Sequence, residues 1–137
     1  MSRIIQTESG GKLRNHLMMS LIPVLKALEM KKEVDAGAKD MIAFLVICLE
    51  KISSTIEESI LAWEKRGYWV KADHFRLEWE WAHKHSKGLR MILIQENWLE
   101  IPPILADISM KCKTISHSKR FKGIPWDGAY SILEQGK

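Results

Sequence analysis

Residues 41–49 read Met-Ile-Ala-Phe-Leu-Val-Ile-Cys-Leu, the longest uninterrupted apolar stretch of the chain. Nine residues fall far short of the ~20 that a helix needs to cross a bilayer. The stretch lies within a longer segment, 36–65, in which apolar residues recur every three or four positions, the spacing of one helix face. A segment that is apolar almost all round must be covered on most sides, so we predict a central helix over residues 36–65.

Helical spacing continues on both sides of this segment. Upstream it predicts a helix over residues 11–32, and Pro23 inside it should kink the helix or split it into two pieces. Downstream it predicts a helix over residues 69–95. Gly67 lies between the second and third helices and suits the left-handed position that often ends a helix.

A fourth helix is expected over residues 103–116, because proline is tolerated in the first turn of a helix. Residues 117–137 contain Gly, Pro and three aromatic side chains, and we expect a partly ordered C-terminal tail with a short helix over residues 129–133. Short loops make consecutive helices antiparallel neighbours. The sequence therefore predicts an all-α, up-down-up-down four-helix bundle in a single domain, residues 1–137.

The third helix carries two apolar stripes, and we expect both to face inward. The first stripe comprises Val70, His74, Leu77, Trp81, Gly88 and Ile92, and the second Phe75, Trp79, Ala82, Leu89 and Leu93. The polar cluster His83, Lys84, His85 and Lys87 is expected to form an exposed basic patch. Because the second and third helices are apolar on more than one side, the sequence also predicts a homodimer.

The composition is that of an ordinary globular protein. Lys and Arg number 21 against 17 Asp and Glu, for a net charge of +4 and a pI near 9.1. These values exclude a disordered chain, a collagen-like chain and a disulfide scaffold. The N-terminal residues contain no apolar signal segment, so we expect a cytoplasmic protein. The two cysteines, Cys48 and Cys112, have no Cys-x-x-Cys partner and are interpreted as buried thiols, without a structural zinc site.

The predicted topology separates the charges. Residues 1–14, 64–73 and 111–137 share one end of an up-down bundle, and their formal charges sum to +7. Residues 29–40 and 90–100 share the other end and sum to −2. A modest net charge can therefore conceal a strongly polarised molecule, with a basic end that attracts anionic partners.

Basic and aromatic residues alternate in two segments at the predicted basic end, residues 65–71 and 119–126. Cations attract phosphates and carboxylates, while Trp and Tyr can stack on bases or anchor a protein interface. We take as binding candidates Arg66, Trp69, Lys71, Lys119, Arg120, Lys122 and Trp126.

Six tryptophans in one domain are the most unusual feature of the composition. The spacing of Trp63, Trp79 and Trp81 predicts burial. The other three, Trp69, Trp98 and Trp126, lie at helix ends or in the tail, and these are the tryptophans that we expect to take part in function.

Few motifs suggest catalysis. Glu80 and His83 have the spacing of a di-iron site, but no second copy exists, and His74 with Glu78 could form an acid–base pair. Phosphate-binding and nucleophile motifs are absent. The segment 76–83, Arg-Leu-Glu-Trp-Glu-Trp-Ala-His, loosely resembles the arginine–histidine motif of the HEPN ribonucleases, which are also small helical bundles. That family places a polar residue after the arginine, and Leu77 stands there, so no catalytic role is transferred.

These observations predict a non-enzymatic binding module that forms a homodimer and binds an anionic partner. We expect neither a metal nor a cofactor, and no association with a membrane. Two alternatives stay open: a nucleic-acid-binding protein that uses the same surface, and a small helical-bundle enzyme that acts on nucleotides or RNA.

Overall fold

The computed structural model of the protein describes residues 10–113 together with Tyr130 and Leu133. These residues form four α-helices and no strand, which confirms the predicted all-α four-helix bundle. The helices are α1 (Gly10–Glu29), α2 (Ala36–Lys65), α3 (Trp69–Gln95) and α4 (Ile101–Cys112), and a single 3-10 turn (Trp98–Glu100) precedes α4.

The four helices pack in a ring. Consecutive helices contact one another, and α1 closes the ring by contacting α4. We call the end of the bundle that contains the α2–α3 connection, residues 66–68, the turn end. The opposite end contains the other two connections, residues 30–35 and 96–100. This is the predicted up-down-up-down topology, with α2 and α3 forming the longest antiparallel pair.

Helix α2 is the centre of the core, as the apolar stretch at residues 41–49 predicts. Seven of the nine residues in that stretch are buried, and Phe44 and Ile47 are half-buried. The start of α2 is fixed by Asp35, whose carboxylate accepts a hydrogen bond from the Ala38 amide at 2.8 Å. This satisfies one of the amides that have no partner within the helix. The helix bounds match the predicted range, 36–65.

Helix α1 is a single helix, and Pro23 lies inside it without splitting it. Of the two expected effects of Pro23, a kink or a split, the structure excludes the split, because burial of Leu21, Val24 and Leu25 on either side of the proline holds both halves against the core. The helix ends at Glu29, three residues before the predicted end, and the chain turns there.

Helix α4 is much shorter than its neighbours. Twelve residues span ~18 Å, whereas the 27 residues of α3 span ~40 Å. The helix begins at the opposite end and ends at Cys112, near the middle of the bundle. The last residues of the predicted range, 114–116, lie outside the described residues. Lys111 and Lys113 consequently lie beside the middle of the bundle rather than at its turn end.

The described part of the tail packs at the opposite end. The Tyr130 amide donates to the Asp40 carboxylate at 3.0 Å, and Lys39 Nζ lies 5.8 Å from the ring centres of both Trp98 and Tyr130. Tyr130 and Leu133 have helical backbone, in agreement with the short helix expected over residues 129–133. The expectation that all of residues 111–137 lie at the turn end is therefore wrong for this part.

The first apolar stripe of α3 is only half covered. Trp81 and Ile92 are buried as expected, but Val70, His74 and Leu77 are exposed, with 71% of Val70 and 67% of Leu77 accessible to solvent. The reason lies in α4, which covers this face only as far as Trp81. The second stripe faces inward as predicted.

The tryptophans divide nearly as their spacing predicts. Trp81 is buried, and Trp63, Trp79 and Trp98 are half-buried. Trp69, at the start of α3, is 59% exposed, and Trp126 lies outside the described residues.

Candidate functional site

The connection between α2 and α3 has a well-defined backbone geometry. Gly67 adopts the left-handed conformation, with φ of 83°, as its position in the sequence predicts. The Gly67 amide donates to the Glu64 carbonyl at 3.0 Å, and the Tyr68 amide donates to the Trp63 carbonyl at 2.9 Å. These two bonds form a Schellman motif, which satisfies carbonyls at the end of α2 and fixes the direction in which α3 departs.

This rigid turn displays two large aromatic side chains. Tyr68 and Trp69 are each more than half exposed, and Val70 follows them with most of its side chain in solvent. A shallow cleft of about 450 Å³ lies here, lined by residues 67–71. We refer to residues 65–71 as the basic–aromatic turn.

The cations of the basic–aromatic turn differ in their surroundings. Lys65 and Arg66 are exposed and make no ion pair with any described carboxylate. Lys71 instead places its Nζ 4.8 Å from the Trp63 ring centre, a cation–π contact within the protein. The nearby Glu64 binds Arg76 at 2.9 Å and is therefore not available to neutralise the turn.

The predicted binding residues fall into two groups. Arg66, Trp69 and Lys71 lie together at the turn end, in the basic–aromatic turn. The other four, Lys119, Arg120, Lys122 and Trp126, lie outside the described residues. The structure therefore brings one of the two predicted segments into a defined surface.

A second group at the turn end was not recognised in the sequence. Arg14 donates from Nε to the Thr55 hydroxyl at 3.2 Å and from Nη2 to the Ser59 hydroxyl at 3.3 Å. Its guanidinium carbon also lies 5.0 Å from the Phe75 ring centre and 5.6 Å from that of Trp79. Helices α1, α2 and α3 thus meet around one half-buried guanidinium.

The partners of Arg14 are unusual for a partly buried cation, since both hydrogen-bond acceptors are neutral hydroxyls. Burial lowers the pKa of Arg14, and the negative charge of Glu78 partly offsets this effect. The Thr55 hydroxyl is itself fixed, because it donates to the Ile52 carbonyl at 2.7 Å. A guanidinium carries five N–H donors, so this arrangement leaves donors available for an anion.

The prediction of an exposed basic patch is wrong for His85. This side chain is buried, and its Nε2 lies 2.6 Å from Oδ2 of Asp107 on α4. The hydrogen bond holds the pKa of Asp107 below its usual range. The sequence did contain the signal: His85 follows Trp81 by four residues and therefore shares its face. His83, Lys84 and Lys87 are exposed as expected.

The other catalytic candidates are dispersed. His74, Glu78, Glu80 and His83 are all exposed on α3, and no group of three metal-ligating side chains occurs within the described residues. Arg76, the arginine of the ribonuclease-like segment, binds Asp73 at 2.6 Å in addition to Glu64. Its charge is therefore engaged in a local ion-pair network rather than directed toward His83.

The thiols are buried, as predicted. Burial raises the pKa of both Cys48 and Cys112 to about 11, which disfavours the nucleophilic thiolate.

Among the described residues, no helix combines the length and the apolar character required to cross a membrane. Comparison with protein-family models, with curated protein sequences and with solved structures finds no significant match to this chain.

Proposed function

We propose that this protein is an interaction module that binds an acidic segment of a protein partner through the basic–aromatic turn. The observation that supports this most directly is the exposure of Trp69, 59% of which is accessible to solvent, beside Lys65 and Arg66, which make no ion pair with a described carboxylate. Burying a large apolar side chain contributes roughly 1.5–3 kcal/mol of favourable free energy. Because Tyr68 and Trp69 stay more than half exposed in the fold, much of this free energy is still available when a partner covers them.

The rigidity of the turn strengthens the proposal. Two backbone hydrogen bonds fix residues 67 and 68, so the aromatic rings are presented with little conformational freedom left to lose on binding. Aromatic residues and arginine are also the residue types that most often anchor protein interfaces. Lys65 and Arg66 would then select acidic over basic partners.

The charge pattern favours a protein over a nucleic acid as the partner. Nucleic-acid binding commonly uses about 6–10 phosphate contacts and hence an extended basic surface. The basic–aromatic turn offers three cations, one of them occupied by Trp63, and it is followed on α3 by Asp73, Glu78 and Glu80. A short acidic segment matches the size of this patch, whereas a nucleic-acid backbone would meet carboxylates next to it.

Self-association is a separate part of the proposal. The large exposed apolar residues occur on α2, α3, α4 and the connections, at both ends of the bundle, and half of them lie on α3. A dimer would use the α3 side of the molecule. Light scattering during size-exclusion chromatography at several concentrations would give its mass directly.

The test uses the full chain and two fluorescent probes, a twelve-residue peptide rich in Glu that contains one Leu, and a dT20 oligonucleotide. We expect the peptide to bind and the double variant K65E/R66E to weaken it at least tenfold. Trp69→Ala should weaken it further, because it removes the apolar contact. The matched control is K32E/K51E, which changes two exposed lysines away from the turn by the same charge.

Two results would overturn this function. Equal losses in K65E/R66E and K32E/K51E would mean that the peptide responds only to net charge. Tighter binding of dT20 than of the peptide, with a steep dependence on salt, would assign the surface to nucleic acid instead.

A further inference from the structure

The outward side of α3 carries a regular line of exposed residues. Seven positions recur along it at alternating spacings of four and three: Asp73, Leu77, Glu80, Lys84, Lys87, Met91 and Ile94. An average spacing of 3.5 residues is close to one helical turn, so these residues share one face. The face lies opposite the buried Ala82, Leu89 and Leu93, and it is about 32 Å long. We call it the α3 seam.

The elements beside the α3 seam do not cover it. The structure describes residues 10–113 without interruption, and this range includes α2, α4 and the two connections that flank α3. Next to these elements, about half or more of the side chains of Leu77, Met91 and Ile94 is accessible to solvent. The seam therefore exposes apolar surface on both sides of its charged centre.

The charges of the α3 seam are divided between its two halves. Asp73 and Glu80 make the half toward the turn end acidic, whereas Lys84 and Lys87 make the other half basic. A line of this kind matches a reversed copy of itself, because each acidic half then faces a basic half.

Two of these four charges are already engaged within the chain. Asp73 binds Arg76 at 2.6 Å. The pKa of Asp107 is lowered by its hydrogen bond to His85 and further by the charge of Lys84, so this lysine has a carboxylate nearby. The other two charges, one in each half, make no ion pair with a described residue. These two, Glu80 and Lys87, carry the argument.

We propose that the α3 seam binds the α3 seam of a second copy of this chain, with the two helices antiparallel and Glu80 of each copy paired with Lys87 of the other. The two-fold axis then lies near Lys84. Leu77 of each copy faces Met91 of the other, so apolar side chains cover one another on both sides of the axis. At the axis the two copies of Lys84 approach each other, and Glu80, one helical turn away in each copy, offsets their like charges.

The order of the charges argues for a second copy in this orientation. A parallel pair would place Glu80 against Glu80 and Lys87 against Lys87, and like charges in contact are destabilising. A partner of a single charge sign would meet its own sign in one half of the seam. The inference rests on the self-association proposed above, to which it gives a surface and an arrangement, and it does not involve the basic–aromatic turn.

The size of the α3 seam predicts a weak dimer. One helix pair of about 32 Å with charges at its centre belongs to the low end of protein interfaces. We therefore expect a dissociation constant in the micromolar range.

The first experiment measures the dimer of the full chain by sedimentation velocity, from low micromolar to several hundred micromolar protein. E80K and K87E each create two like-charge pairs in the dimer and should raise the dissociation constant at least tenfold. An equimolar mixture of the two variants should recover the affinity of the unmodified chain within threefold, because every lysine then faces a glutamate. The matched control is E57K, the same change at an exposed glutamate of α2, which should stay within twofold.

The second experiment tests the orientation with D73C and Q95C, two exposed positions that lie equally far from Lys84 on either side. In the antiparallel pair each position lies about 33 Å along the helix from its own counterpart and level with the other position. A short bismaleimide should therefore link the two variants when they are mixed and neither variant alone. The unmodified chain, whose two thiols are buried, is the blank.

The possible results separate this arrangement from the other proposals. A monomer over the whole concentration range would overturn both self-association and the arrangement. A dimer that E80K and K87E weaken no more than E57K does, or that D73C links on its own, would overturn the arrangement alone. K65E/R66E, which tests the basic–aromatic turn, should leave the dissociation constant of the dimer within twofold, and a larger change would contradict the independence of the two surfaces.

Discussion

His85 on α3 and Asp107 on α4 are joined by a hydrogen bond of 2.6 Å between Nε2 and Oδ2. The histidine is buried, whereas 43% of the Asp107 side chain is exposed, so the bond connects the core to the rim of the bundle. It is the one side-chain hydrogen bond between α3 and α4 in the described part of the chain. We infer that it fixes how α4 docks.

Asp107→Asn should lower the free energy of unfolding at pH 7 by roughly 1 kcal/mol, a value reduced for partial exposure. The bond lowers the pKa of Asp107 in the folded state, so its stabilisation is present above the ordinary carboxyl pKa and disappears as the pH falls through the lower, folded-state value. Urea denaturation followed by circular dichroism should therefore show the difference at pH 7 and a smaller one below pH ~4. Glu57→Gln, an exposed carboxylate on α2 with no ion pair to a described residue, is the control, and equal stability of Asp107→Asn and the unmodified protein at pH 7 would contradict the prediction.

Gly67→Ala should destabilise the fold by about 1 kcal/mol. Gly67 has φ of 83°, and an added Cβ would meet no atom within 4 Å, so the cost is backbone strain alone. Thermal unfolding measures the change, and Gly11→Ala at the first turn of α1 is a suitable comparison, because that glycine has no positive φ. A Gly67→Ala protein as stable as the unmodified one would show that the turn adopts another conformation.

Glu96→Gly should have the opposite effect. Glu96 ends α3 with φ of 57°, a conformation that costs a residue with a Cβ more than it costs glycine. We expect a gain of roughly 0.5–1 kcal/mol, reduced by the greater freedom of glycine in the unfolded chain. Glu100→Gly, in the adjacent 3-10 turn, should instead destabilise, and a loss of stability in Glu96→Gly would refute the assignment of strain.

Cys48 and Cys112 should react slowly with a thiol reagent in the folded protein. A pKa near 11 lowers the thiolate fraction at pH 8 by roughly 100-fold relative to a free cysteine, and burial hinders access further. Absorbance during reaction with a disulfide reagent should show both thiols within seconds in denaturant and neither on that timescale without it. Rapid labelling of Cys112 alone in the native protein would show that α4 opens frequently.

The helix bounds that the sequence predicts well are those set by local chemistry. Gly67 marks the end of α2, because the turn requires a left-handed backbone conformation that costs glycine little free energy. This position separates the ranges 36–65 and 69–95, which the structure has as α2 and α3. The end of α4 is different. The apolar spacing continues to Ile115, whereas the described helix ends at Cys112, and the predicted end at residue 116 lies outside the described residues.

Nonlocal dependence explains the errors on α3. Periodicity identifies Val70, His74 and Leu77 as one face, but whether that face is covered depends on how far α4 extends. His85 shares the face of Trp81, but its polar neighbours in the sequence suggest exposure, and the residue that it binds lies on α4, 22 positions away. Arg14 is ordinary in the sequence, and its surroundings come from aromatic residues more than 60 positions away. The apolar faces of helices and the turns between them can be predicted from a single sequence. The contacts between residues far apart in the chain become visible only in the folded structure.

The unequal lengths of the helices also set how the molecule opens. Helices α2 and α3 are joined by three residues and pack along nearly their whole length. Because the connecting loop is short, bringing the two helices together costs little chain entropy, and we expect this pair to form early. Helix α4 has less than half of their length, and among the described residues one side-chain hydrogen bond joins it to α3, so we expect it to detach while the others stay folded. In hydrogen–deuterium exchange, the amides of α2 should accordingly be the last to exchange, and those of α4 should exchange as a separate, earlier cooperative unit.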